Sequence, residues 1–140
     1  MIVSILLMLA QTAPAIDGLP IAPLAAQSLP ATGCAAYLFA PGAKPVFLAM
    51  AGTDPAQLRV SLAGKVTDLP RTSQNGTGPF GFAGSAEYAA GGVTAVLDMK
   101  ITTRADLKDG AAVSDATLRI DREGADSMVV PVAGIVACAK

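Results

Sequence analysis

The sequence predicts an all-β protein: a small antiparallel β-sandwich or barrel of about seven to eight short strands, preceded by an N-terminal signal segment and a Pro-rich arm. Three observations carry that expectation. Residues 93–103 place Val93, Ala95, Leu97, Met99 and Ile101 on one face of a strand, with Thr94, Asp98, Lys100 and Thr102 on the other and Val96 as the one breach. Successive strand side chains point to opposite faces, so this pattern marks a half-buried strand beside a core. Gly, Pro and Asp turn signals recur at intervals near ten residues, and no helical periodicity follows Gln11.

The 140 residues divide into three expected parts. Residues 1–15 read as a signal peptide: the run from Met1 to Ala10 is almost wholly apolar, and Ala13-Pro14-Ala15 puts small residues at the positions a signal peptidase inspects. That run is shorter than the roughly 20 residues of a membrane-spanning helix, and it lacks a preceding Lys or Arg. A buried N-terminal element is the competing reading. Residues 16–33 read as a linker or extended arm outside the core, broken by Pro20, Pro23 and Pro30. Residues 34–140 form the single β-domain, large enough to bury its own core.

Within that domain, residues 34–39 and 45–51 read as two apolar strands separated by Pro41-Gly42. Residues 57–63 alternate cleanly, with Leu58, Val60 and Leu62 inward. Residues 66–69 are expected to be a brief strand closed by Pro70, and residues 71–84 a long glycine-rich surface loop with a short strand near Phe80. Residues 85–90 fit either a strand or a helical turn. Asp109-Gly110 is a favoured turn pair, and residues 111–121 resume alternation. Residues 128–138 form the last strand, apolar on both faces, so that each face calls for a cover. Pro131 lacks a ladder donor and predicts an edge or a bulge, and Gly134 predicts a bend.

Cys34 and Cys138 sit near the two ends of the domain, and an even count in an exported chain reads as a disulfide. Two free thiols, or lipidation of Cys34 within Ala31-Thr32-Gly33-Cys34, are the alternatives. Formal net charge is −1 with no basic run, so no nucleic-acid partner is expected, and nothing after residue 10 approaches the length of a membrane span in the mature chain.

The chain contains no His, which removes Ser-His-Asp and Cys-His catalysis and His-ligated zinc. No catalytic residue, metal site or cofactor is assigned. Asp98 is the acid considered for a carboxylate-pair hydrolase, against the simpler reading of a solvated strand face. Asp121, Glu123 and Asp126 crowd one turn but lack the spacing of a calcium loop. Arg71, Asn75, Phe80 and Phe82 are the candidate ligand-binding set for a glycan or peptide, set against burial of both Phe side chains in the core. Asn75-Gly76-Thr77 also matches a glycosylation acceptor. The expected function is that of an exported, periplasmic or extracellular, non-enzymatic β-domain. It would contact an unknown protein or envelope component.

Overall fold

The computed structural model describes residues 21–104, 106–107 and 110–139. The expected signal segment, its cleavage near Ala15, and Asp109 lie outside the described residues. The strands are β1 Ile21–Ala22, β2 Cys34–Ala40, β3 Val46–Thr53, β4 Ala56–Leu62, β5 Lys65–Gln74, β6 Ser85–Ala90, β7 Val93–Thr102, β8 Gly110–Arg122 and β9 Met128–Cys138. From β2 onward each strand pairs antiparallel with the next, and β9 returns to pair with β2. Eight strands therefore close into an up-and-down barrel. Of the two expected architectures, this is the barrel.

The inward positions alternate in size. Ala36, Ala49, Ala51, Ala86, Ala95, Ala111 and Ala116 interleave with Leu38, Leu48, Leu58, Leu69, Leu97 and Leu118, all in one buried cluster. An eight-stranded barrel leaves an interior just wide enough for side chains, and mixing small with large residues fills it. Strand β7 shows why the register is fixed: Ala95 and Leu97 are buried, whereas Asp98, Lys100 and Thr102 are exposed. A slip of one residue would turn every apolar side chain outward.

Strand β1 comes from the segment read as a linker. Strand β3 pairs with β4 only as far as Ala49 opposite Val60, and β1 occupies the rest of that edge, Ile21 opposite Leu62 and Ala22 opposite Ser61. The Leu24 N–H donates to the Phe47 carbonyl at 2.8 Å. Ile21 is fully buried, as Leu24 nearly is, so residues 21–24 belong to the core. Pro23 has no donor and ends the short strand after two residues.

Three other expectations are corrected. Pro70 does not close a strand, because β5 continues to Gln74 and changes partner from β4 to β6 just after it. The loop is accordingly shorter, residues 75–84, and Pro79–Gly81 is a 3-10 turn rather than a strand. Residues 85–90 resolve as β6. Pro131 stands where the sequence expected it. Pairing of β9 with β2 stops at Ala133 opposite Phe39, so Met128 to Val132 bond only β8 among the described residues.

Candidate functional site: the disulfide end and the outer apolar band

Alternating strand directions gather one end of the barrel from the start of β2, the β3–β4 turn, the loop 75–84 and the close of β9. The Cys34 and Cys138 sulfurs lie 2.05 Å apart, at disulfide distance, across the β2–β9 seam. Next to them the Ala139 N–H donates to the Gly33 carbonyl at 2.8 Å. Thr53 Oγ1 accepts from the Cys34 N–H at 2.9 Å and donates to the Cys34 carbonyl at 3.2 Å. Gly33, at φ +70°, has no room for more: a Cβ there would stand 2.6 Å from Thr53 Oγ1.

The loop 75–84 folds over this end. The Phe82 N–H donates to the Pro79 carbonyl at 3.1 Å, and Gly81 approaches Thr53. Phe82 is 4% exposed and belongs to the barrel core. Phe80 is half-buried against the same core, with its backbone in the left-handed region at φ +60°. Half-buried Arg71 stands opposite Tyr88 across β5 and β6. Burial of Tyr88 pushes its hydroxyl above the ordinary tyrosine range, and the Arg71 charge partly offsets this. Asn75 is exposed at the loop's start, its N–H donating to the Ser85 carbonyl at 3.0 Å.

The candidate ligand residues thus separate. Phe82 is an interior plug, Phe80 a half-buried shoulder, Arg71 a wall residue beside Tyr88, and Asn75 a loop residue. They do not form one flat aromatic platform. Tyr88 was missed in sequence because a lone Tyr in an alternating strand carries no mark of its neighbour.

The second feature lies on the outside wall. One cross-strand row runs Ile135, Tyr37, Met50, Arg59, Asp68 over β9, β2, β3, β4 and β5. The arm, residues 23–33, straps part of it. The Tyr37 hydroxyl donates to the Ser28 carbonyl at 2.9 Å, and Arg59 Nη1 donates to Gln27 Oε1 at 2.7 Å. Arg59 also grips Asp68 with two hydrogen bonds, at 2.7 and 3.1 Å. Thr32 donates to Asp54 Oδ2 at 2.7 Å. A groove of about 310 Å³ remains between residues 30–32 and the wall, lined by Met50, Gln57 and Arg59.

Beside the strap, the outer face of β9 stays open. Ile135 is 52% exposed and Val129 61%, and Leu29 on the strap itself is 52%. The expectation that both faces of this strand are covered is therefore met only on the inside. Phe39 and Phe47 continue the band, their ring centroids 5.1 Å apart.

Asp98 is exposed, and its cross-strand partners are Ser85 and Thr117 rather than another acid. Asp121 accepts from Ser127 and Arg119, and the Ser127 bond leads in holding its carboxyl below the ordinary range. Among the described residues no group of three or more potential metal ligands converges. Comparison with protein-family models, curated proteins and solved structures finds no match to this chain.

Proposed function

We propose that this chain is an exported, non-enzymatic barrel of the periplasm or cell exterior that acts by binding another protein or envelope component. The observation that supports this most is the apolar outer face of β9, where Ile135 and Val129 stand open, with Leu29 exposed on the strap and the Phe39–Phe47 pair on the neighbouring strands. Large apolar side chains left exposed on one face of a small protein are candidates for a partner's contact. A cysteine pair at bonding distance suits an oxidising compartment. The test is a photo-reactive residue placed at position 135, with position 100 on the polar outer face as control, in cells carrying the full chain. Discrete adducts at 135 and none at 100 support the reading; equal labelling at both overturns it. Intact mass of the protein recovered outside the cytoplasm reports export and cleavage in the same preparation.

A second reading, a small glycan- or peptide-binding module at the loop 75–84, draws on the left-handed Phe80 and on Arg71 beside Tyr88. Backbone held in a sparsely populated region clusters at ligand sites. Under this reading Phe80→Ala weakens binding to a glycan or peptide array while the melting temperature stays nearly unchanged. A large drop in melting temperature with binding intact removes it.

A further inference from the structure

We infer that Asn75 is a site of spontaneous deamidation, a covalent change that adds a charge to the loop at the disulfide end. Asn75 is the only asparagine in the chain and is followed by Gly76. It is exposed, and among the described residues no hydrogen bond holds its side chain, its one bond being from the backbone N–H to Ser85. Gly76 stands at φ +76° with open space where a side chain would be. An exposed loop position with an unbranched successor meets the steric demand of the reaction.

The chemistry needs only water. The Gly76 amide nitrogen, having lost its proton, attacks the Asn75 side-chain carbonyl carbon. A nitrogen–carbon bond forms, the Cγ–Nδ2 bond breaks, and ammonia leaves, giving a five-membered succinimide. Water then opens the ring at either carbonyl, producing aspartate or isoaspartate with no change of oxidation state. The neighbouring Gln74 is a poor competitor, because its Oε1 is buried and its side chain is longer by one carbon.

The product carries one more carboxylate, taking the formal net charge from −1 to −2. The isoaspartate form also lengthens the backbone by one methylene between β5 and the turn that seats Phe80 and Phe82. The exposed end of the barrel would thus change with age in both charge and loop geometry.

The test incubates the folded full chain at mildly alkaline pH beside a denatured sample, and maps peptides by chromatography and mass spectrometry. The expected result is loss of the Asn75 peptide at a rate comparable to that of the denatured chain. Two products of equal mass should replace it, each carrying hydroxyl in place of amide nitrogen, and an isoaspartyl methyltransferase should label one of them. Asn75→Gln should abolish both. Isomerisation at an Asp-Gly pair leaves mass unchanged and is told apart on that ground. Protection of Asn75 in the folded chain, or deamidation arising at a Gln instead, overturns the inference.

Discussion

Phe80 and Phe82 stand two residues apart and do different work. Phe82 fills the barrel's end, so Phe82→Ala should cost about 3–5 kcal/mol, the range for emptying a buried aromatic site. Phe80→Gly should cost much less, because releasing a left-handed non-glycine backbone returns about 1 kcal/mol against the lost packing. Chemical denaturation of the two variants measures both. Tyr88 offers a check on charge. Burial raises its pKa above the ordinary value of 10.0, and Arg71 pulls it partly back. Arg71→Met should therefore move the ultraviolet titration of Tyr88 to still higher pH. Because the folded-state pKa exceeds the unfolded one, the stability gained by keeping Tyr88 neutral is complete below the unfolded pKa. It is lost as pH rises through the folded pKa. At this scale the sequence was partly legible. It named Arg71, Asn75, Phe80 and Phe82, and it weighed burial of the rings against a platform. It did not show which ring turns inward, because that depends on the positive φ angles at Phe80 and Gly81.

Strand β9 shows what can and cannot be read from one element. Pro131 signalled an edge or bulge, and the reason is now geometric. The Ala139 N–H bonds the Gly33 carbonyl, so by alternation the backbone N–H and C=O groups of odd-numbered residues in β9 point toward β2. The Pro131 backbone nitrogen points the same way, beyond the last β2 pair, where a missing donor breaks no ladder bond. Gly134 is needed for close approach rather than for a bend alone. A Cβ there would overlap the Tyr37 carbonyl oxygen of β2. Gly134→Ala should then cost at least about 3 kcal/mol, whereas Gly84→Ala, with open space around it, should stay within about 0.5 kcal/mol. Thermal melts of the two variants separate the effects. The arm was the least legible element. Three prolines spoke against regular structure, yet two residues between Pro20 and Pro23 suffice to fill the edge that β3 leaves on β4. Nothing local in Ile21-Ala22 marks the long-range vacancy it fills.

At the scale of the whole molecule, closure is what the alternating strands make possible. Apolar inner faces, small and large side chains in turn, and short connections favour a barrel whose edges are consumed by its own strands. Strand count and all-β character were legible because alternation is local. Sandwich and barrel share that alternation, and only the pairing of β2 with β9 separates them. Cys34 and Cys138, 104 residues apart in sequence and at disulfide distance, face each other across that pairing. Replacing both cysteines by Ala should lower stability by about 4–5 kcal/mol in the chain-entropy model, read from denaturation midpoints. The outer wall then divides into a polar side on β7 and an apolar band on β2, β3 and β9, which is where a partner is proposed to sit. The most direct test of the closed barrel is a through-space proton spectrum across β2 and β9. Close Hα–Hα cross-peaks are expected for Ala36 with Val136 and for Leu38 with Gly134, the non-hydrogen-bonded pairs of the seam. Their absence, with fast amide exchange along both strands, would mean an open sheet and would contradict the account.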